Sequence, residues 1–195
     1  MDKHLPLDRL TCDHIRDRLR RPASRTDPTE ELAGLAAGAL ERASVLLPLY
    51  QSQGAWHLIF IRRSEREHDL HSGQVGFPGG RRQATDPDCI ATALREAQEE
   101  INLAGDQVRL LGRLNPLRTV SRYLVTPVVG WVSWPQPLAP DPREVSRIFS
   151  IPLAWLGTPG HHRLRAYPAP DHPEAREIAF FDQYDGELLW GVTAR

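Results

Sequence analysis

The 195-residue sequence contains only two cysteines, Cys12 and Cys89, too few to build a disulfide framework. It has no apolar run near the roughly 20 residues that a membrane-spanning helix needs, so we expect no membrane insertion. The 24 basic and 25 acidic residues leave a net charge of −1, and the chain therefore lacks the basic field that holds nucleic acids. Because the N-terminus also lacks a secretory pattern, the sequence predicts a cytoplasmic protein with reduced thiols.

The pattern of short apolar runs predicts a sheet with a few helices. Residues 44–50 and 55–62 are β-compatible runs separated by a four-residue loop, which favours a β-hairpin. A proline-rich loop is expected at 135–142. Further strands are predicted at 107–118, 123–134, 144–150, 163–167, 177–182 and 186–190. Many strands around one strong helix indicate an α+β domain with helices packed on a mixed sheet.

The N-terminal part differs from the rest of the chain in its hydrophobic pattern, which is helical. Residues 7–20 show an imperfect helical stripe, and residues 30–42 form an alanine- and leucine-rich second helical pattern. We therefore predict a helical extension over residues 1–42, packed on a core domain over residues 43–195. The sequence does not say whether this extension covers the functional site.

The clearest helical pattern lies at 87–101. Asp86 is the expected N-cap, Pro87 suits the first helical position, and Asn102 can take the left-handed conformation that ends a helix. One apolar stripe is predicted to be buried, formed by Ile90, Ala93, Leu94, Ala97 and Ile101. The remaining face is predicted to carry Arg95, Glu96, Glu99 and Glu100.

Three carboxylates on this helix are expected to share one patch. Glu96, Glu99 and Glu100 stand at i, i+3 and i+4, where neighbouring Cβ atoms lie about 5–6 Å apart and like charges repel. A divalent cation would convert that repulsion into binding, and carboxylate oxygens favour Mg²⁺ or Mn²⁺ together with substrate phosphates. The side-chain-free turn at Gly79 and Gly80 would let backbone groups approach metal and phosphate. Taken alone, the same cluster is more typical of a solvated helix face with an ordinary Arg95–Glu99 pair.

The residues around this helix resemble the Nudix box. Gly80 is followed by the run REAQEE at 95–100, although the spacer is one residue longer than the general pattern and Asn102 replaces the closing glycine. The longer spacer resembles the coenzyme A pyrophosphatase subgroup, whose upstream motif is matched by Arg63-Ser64 and the run HSGQVGFPGG at 71–80. Asp69-Leu70 departs from the Leu-Arg of that motif. The resemblance covers about residues 43–195 and implies an α/β/α sandwich. Relatives continue into a C-terminal helix past the position of Arg195, and that helix is expected either to be missing from this protein or to follow the given sequence.

The resemblance implies an enzyme that hydrolyses a pyrophosphate bond with Mg²⁺ or Mn²⁺. The expected substrate is coenzyme A, its thioesters or its oxidised forms, and a homodimer is compatible with the resemblance. Metal ligands would be Glu96, Glu99, Glu100 and Gly80, and catalytic roles fall to Glu96, Glu99, Arg95 and Glu144. Arg62, Arg63, His71, Gly79 and Gly80 are the predicted substrate-binding residues, with Arg66 as a further cation for the substrate phosphates.

Several of these assignments have alternatives that the sequence leaves open. Glu144 is either an additional base or ligand, or a surface charge at a strand edge. The arginines at 62, 63 and 66 alternate with Glu65 and Glu67, so they form either a phosphate-binding loop or a self-paired solvated one. The alternative substrates are ADP-ribose, NADH or another nucleotide derivative, and the alternative class is a catalytically silent nucleotide-binding module.

Overall fold

The computed structural model describes residues 6–20, 40–65, 72–119, 121–167 and 176–195. Its helices are α1 (Cys12–Arg20), α2 (Cys89–Ile101) and the single-turn α3 (Leu153–Leu156). Its strands are β1 (Glu41–Ser52), β2 (Ala55–Arg63), β3 (Val75–Gly76), β4 (Gly79–Arg81), β5 (Val108–Arg113), β6 (Leu117–Arg118), β7 (Tyr123–Val132), β8 (Val145–Pro152), β9 (His162–Tyr167) and β10 (Arg176–Phe181).

Eight of the described strands form one mixed sheet. The main path runs β3-β2-β1-β7-β5, and β4, β6 and β8 pair with β1, β7 and β2 respectively. β1 and β7 are parallel, with Glu41 opposite Tyr123 and Leu49 opposite Trp131, while the other pairs are antiparallel. β9 and β10 form a separate two-stranded sheet. The mixed sheet confirms the α+β prediction.

Two apolar clusters lie on the two faces of the main sheet. The first packs α2 through Ala93, Ala97 and Ile101 against β1, β7 and β8. The second packs α1 and α3 against strand residues such as Phe60 and Phe149. Leu19 of α1 fits over Gly112, where an added Cβ would lie 2.9 Å from the leucine Cβ. Helices therefore cover both faces, as the predicted α/β/α sandwich requires.

The hairpin and most strands fall where the sequence predicts them, with differences at some ends. Gln53 and Gly54, both at positive φ, make a tight two-residue turn between β1 and β2. The predicted strand at 107–118 is two strands, β5 and β6. The predicted strand at 186–190 is wrong, because residues there make only isolated bridges, Tyr184 with Glu187 and Phe180 with Trp190.

The N-terminal segment contains fewer helical residues than its sequence pattern predicts. Within 7–20 a 3-10 turn at Leu7–Arg9 precedes α1, so one continuous helix is wrong. The predicted helix at 30–42 lies largely outside the described residues, and its last two residues, Glu41 and Arg42, begin β1 instead. Among the described residues, no helix has the length and apolar content to cross a bilayer.

Candidate metal and diphosphate site

Helix α2 begins two residues later than predicted. Asp88, rather than Asp86, is the N-cap, and its carboxylate accepts a hydrogen bond from the Ala91 N–H at 2.8 Å. Pro87 consequently precedes the helix. At the other end Asn102 is left-handed (φ 56°) and its N–H bonds to the carbonyls of Ala97 and Gln98, which confirms the predicted stop.

Asp86 instead anchors the arginine of the helix. Its two carboxylate oxygens accept hydrogen bonds from Nε and Nη2 of Arg95, both at 3.0 Å, in a bidentate pair. The N–H of Gln83 donates to the same buried carboxylate at 2.9 Å. The hydrogen bond from Arg95 is the main reason that the pKa of Asp86 falls to about 2.

Arg95 connects this anchor to two glutamates of the cluster. Its Nη1 lies 2.9 Å from Oε1 of Glu96 and 2.9 Å from Oε2 of Glu99, and its Nη2 donates to the Arg81 carbonyl at 3.0 Å. The Arg95–Glu99 pair is therefore present as the i, i+4 spacing predicts. Because Asp86 fixes the guanidinium plane, the positions of both glutamates are also restricted.

Glu100 does not lie on the exposed face of the helix, contrary to the prediction. Its exposed fraction is 1%, its Oε2 accepts the Gly79 N–H at 2.9 Å, and its Oε1 lies 3.9 Å from Nη1 of Arg63. Burial disfavours the charged carboxylate and raises the pKa of Glu100 to about 7, against the opposing effects of Gly79 and Arg63. This is a buried acid whose negative charge is incompletely compensated.

Glu96 lies directly against the glycine turn. A Cβ added at Gly80 would be 2.6 Å from the carboxyl carbon and from both oxygens of Glu96, so a larger residue there would displace the glutamate carboxylate. Gly79 is restricted more strictly, because its added Cβ would lie 2.4 Å from the Ser44 carbonyl oxygen in the backbone of β1. The side chain of Glu96 is 13% exposed, and burial raises its pKa, with Arg95 acting in the opposite direction.

Glu144 faces the same cluster from the start of β8. Its charge contributes to the raised pKa values of both Glu96 and Glu100, which places its carboxylate in their vicinity. Its backbone carbonyl accepts the Ser64 N–H at 2.9 Å, which ties this end of β8 to the end of β2. Glu99 differs from these three acids, since 53% of its side chain is exposed and it turns toward Arg95.

The donor set suits an open site for a hard divalent cation. Within the described ranges, no group of three or more His, Cys, Asp or Glu side chains is placed to hold a metal ion by itself. Mg²⁺ usually takes one or two carboxylates and fills its remaining positions with water and substrate phosphate oxygens. The carboxylates of Glu96, which is 13% exposed, and of the buried Glu100 lie beside a glycine backbone and could fill those one or two positions.

The predicted substrate arginines divide between the two faces of the sheet. Arg63 reaches Glu100, whereas the side chain of Arg62 lies near Glu65 (3.9 Å) and Glu187 (3.8 Å). Successive residues of a strand point to opposite faces of the sheet, which separates the two neighbouring arginines. His71 and Arg66 lie outside the described residues.

Two features near the candidate site were not predicted from the sequence. The anchoring role of Asp86 had a detectable signal, because an arginine amid three glutamates needs a fixed partner to keep one orientation. The second is Arg147, which the register places opposite Arg62 on β8, and which nothing local in the sequence distinguishes from a surface arginine.

This fold agrees with the known proteins that the chain resembles. The sequence profile of the NUDIX domain matches residues 40–182, and the chain belongs to the Nudix family of hydrolases, enzymes that cleave pyrophosphate bonds with the help of divalent cations.

Among individual proteins it is similar to two uncharacterized Nudix hydrolases called NudL. The one from Photorhabdus laumondii is 39% identical over 153 residues, 78% of this chain and 79% of the relative. The one from Pectobacterium atrosepticum is 39% identical over 158 residues, 78% and 77% of the two chains. A Caenorhabditis elegans Ap4A hydrolase in a binary complex matches with a TM-score of 0.50 and 17% identity, over 57% of this chain and 80% of that one, which supports the fold.

Proposed function

We propose that this Nudix hydrolase is a Mg²⁺- or Mn²⁺-dependent coenzyme A pyrophosphatase. It would release adenosine 3′,5′-bisphosphate and 4′-phosphopantetheine, or the acylated form of the latter. One observation carries the substrate proposal: Arg63 and Gly79, which bracket the upstream motif of the resembled subgroup, both contact Glu100. These two contacts support the proposal that the motif of the coenzyme A enzymes contributes to the acidic site.

The carboxylates of Glu96, Glu99 and Glu100 and the Gly80 carbonyl are the proposed metal ligands. A bound divalent cation would neutralise charge on the diphosphate and lower the pKa of a coordinated water. Arg63 would contact a substrate phosphate oxygen while balancing the charge of Glu100. Arg95, held by Asp86, would keep Glu96 and Glu99 in position.

Glu96 is the proposed proton acceptor. Water oxygen attacks one phosphorus, the bridging P–O bond breaks, and the water proton passes to a carboxylate while the leaving phosphate retains the bridging oxygen. Glu96 suits this task because burial raises its pKa, which makes its carboxylate a stronger base than an exposed one. Glu144 is the alternative acceptor, since it faces the same cluster from β8.

The test is an assay of the purified chain against coenzyme A, ADP-ribose, NADH, dinucleoside polyphosphates and nucleoside triphosphates, with Mg²⁺ and with Mn²⁺. We expect the highest kcat/KM for coenzyme A or a thioester, and products identified by mass. Turnover of another diphosphate without turnover of coenzyme A would overturn the substrate proposal. Absence of turnover with every compound, together with retained nucleotide binding, would indicate a silent binding module.

Substitution of the glutamates tests the site itself. Glu96→Gln and Glu100→Gln should each lower kcat by at least about 100-fold, because a proton acceptor or a metal ligand is lost. Glu177→Gln is the matched control, since Glu177 is an exposed glutamate of β10. Unchanged turnover and metal affinity in both site variants would show that the proposed site is wrong.

A further inference from the structure

A cavity of about 490 Å³ lies at the ends of β2 and β8, and it is separate from the acidic cluster. Its lining residues are Arg62, Ser64, Glu65, Ser146 and Arg147; we call it the Arg62 cavity. Arg63, which follows Arg62 directly, contacts Glu100, and the Ser64 N–H donates to the Glu144 carbonyl. The cavity and the acidic site are therefore connected through consecutive residues of one strand end, whose Cα atoms are about 3.8 Å apart.

Two arginines stand side by side in this cavity. Arg62 and Arg147 are direct cross-strand partners in the antiparallel β2–β8 pair, a position where like charges destabilise a sheet. Glu187, with a side chain only 5% exposed, lies between them, 2.8 Å from Nη1 of Arg147 and 3.8 Å from Nη1 of Arg62. A buried carboxylate thus holds two guanidinium groups together at the wall of an open cavity.

The two arginines are held to different degrees. Arg147 donates from Nη1 to the Asp185 carbonyl at 3.1 Å and to Glu187, pairs through Nη2 with the Asp185 carboxylate, and lies 5.3 Å from the centre of the Phe149 ring. Among the residues that the structure describes, Arg62 has two ion pairs, at 3.8 and 3.9 Å, both longer than hydrogen bonds. Its N–H groups are therefore available to an incoming acceptor.

The competing acid at the cavity is a weak partner. Glu65 makes the 3.9 Å pair with Arg62, but 84% of its side chain is exposed. Ion pairs between such exposed groups contribute little, so a ligand with a higher charge can replace Glu65. Guanidinium groups bind phosphate oxygens in paired hydrogen bonds, which two adjacent arginines can supply together.

We propose that the Arg62 cavity binds a phosphate monoester that the substrate carries away from its diphosphate. Arg62 is the main contact, Arg147 is the second, and Glu187 is a positioning residue that holds the pair. This inference rests on the proposed function and narrows it, because coenzyme A carries such a group as its 3′-phosphate. Free phosphate presents the same chemistry, and the experiment separates the two sources.

The experiment compares coenzyme A with 3′-dephospho-coenzyme A, which has the same diphosphate but no remote monoester. We expect the wild-type enzyme to show a KM for coenzyme A about tenfold below that for the dephospho compound, as one charged hydrogen-bonded contact would give. Arg62→Gln should raise the KM for coenzyme A about tenfold, leave kcat unchanged, and leave the dephospho substrate unaffected. Arg62→Lys should restore part of the preference.

Arg109→Gln is the matched control, because Arg109 is an exposed arginine on β5 that pairs with Asp13 at 3.4 Å. Arg147→Gln should reproduce the effect of Arg62→Gln, and Arg62→Gln stands as the test if loss of Arg147 disturbs folding around the buried Glu187. Equal KM values for the two substrates in the wild type, or an equal effect of Arg62→Gln on both, would overturn the inference.

If the wild-type enzyme hydrolyses neither compound, the proposed function fails and the cavity is tested separately. Calorimetric titration with inorganic phosphate then compares the wild type with Arg62→Gln. Phosphate binding that is lost in the variant would support a phosphate site that serves a free ligand. Binding that is absent, or unchanged in the variant, would overturn it.

Discussion

At the scale of single residues, the buried carboxylate of Glu100 in the acidic site makes the stability of the folded protein depend on pH. Its carboxylate is buried with its pKa raised to about 7, so without metal the folded state resists ionisation of this group. A group with a raised folded-state pKa contributes its full stability below the unfolded value near 4.5 and loses it as the pH rises through about 7. Glu100→Gln should remove that loss, because a glutamine oxygen can still accept the Gly79 N–H.

We therefore expect the free energy of unfolding of metal-free Glu100→Gln to exceed that of the wild type by about 1–3 kcal/mol at pH 8. At pH 4 the two free energies of unfolding should be nearly equal. Denaturant titrations at both pH values, with chelator present, measure this difference. Glu99→Gln serves as the control, because the Glu99 carboxylate is exposed and its ionisation carries no burial cost that the substitution could remove. A Glu100→Gln variant that is less stable than the wild type at pH 8 would contradict the burial argument.

Gly80 is the second residue with a specific prediction. Gly80→Ala places a Cβ 2.6 Å from the Glu96 carboxyl group, so the glutamate must move. A displacement near 1 Å costs about 100-fold in rate, and we expect kcat/KM to fall by about that factor. Gly76→Ala is the comparison, because nothing lies within 4 Å of an added Cβ there. Similar steady-state rates for the two alanine variants would argue against a close Gly80–Glu96 contact.

The sequence predicts which residues gather at the site better than it predicts their surroundings. Helix period groups Glu96, Glu99 and Glu100, and chain adjacency groups Gly79 with Gly80. The contact between the two groups is tertiary, as in the Gly79–Glu100 hydrogen bond, and was expected from the resemblance to the Nudix box. The burial of Glu100 is not predicted from its residue type, because a charged side chain is expected to be exposed to solvent. Seven residues after buried Ala93, however, the helix has turned to within about 20° of the same direction. Periodicity alone thus places Glu100 on the inner face.

At the scale of elements, the two aspartates that precede α2 have different structural roles. Asp88 caps the helix and Asp86 fixes Arg95, although they are only two positions apart. Asp88→Ala should lower the free energy of unfolding by about 1 kcal/mol and leave kcat/KM nearly unchanged. Asp86→Asn should cost about 1.5–3 kcal/mol and also lower kcat, because Arg95 loses its bidentate partner.

Acid titration distinguishes the same two variants further. Because the pKa of Asp86 is lowered to about 2, its contribution is present above the unfolded value of 3.8 and is lost as the pH falls toward 2. The stability difference between the wild type and Asp86→Asn should therefore shrink between pH 4 and pH 2, as followed by urea unfolding at each pH. A difference that stays constant over that range would contradict the ion pair.

Element prediction succeeds where local signals are strong and fails where partners are distant. The β1–β2 turn and the helix end at Asn102 are each determined by two or three adjacent residues. The N-cap was misplaced because Asp86 and Asp88 are both good caps, and only the tertiary pairing with Arg95 separates them. The expected strand at 186–190 meets β10 only at the isolated Phe180–Trp190 bridge, so it does not extend into a continuous ladder.

At the scale of the whole molecule, metal binding should be linked to protons. A divalent cation on Glu100 must compete with the proton that burial favours, so affinity should rise as the pH increases from 6 to 8. Thermal unfolding should show a larger Mg²⁺-induced increase in Tm at pH 8 than at pH 6. The Glu100→Gln variant should lack this pH dependence, and an equal Mg²⁺ effect at both pH values in the wild type would exclude Glu100 as a ligand.

The position of β1 has a consequence for the order in which the chain opens. This strand is paired on one side with β7, 82 positions away in sequence between Glu41 and Tyr123, and on the other side with β4 and then β2. Its central amides cannot reach solvent without separation of several strands, so their deuterium uptake should occur only through global unfolding. The exposed β9–β10 pair should label much earlier. Such distant pairing also predicts slow folding, in the millisecond-to-second range typical of non-local sheets.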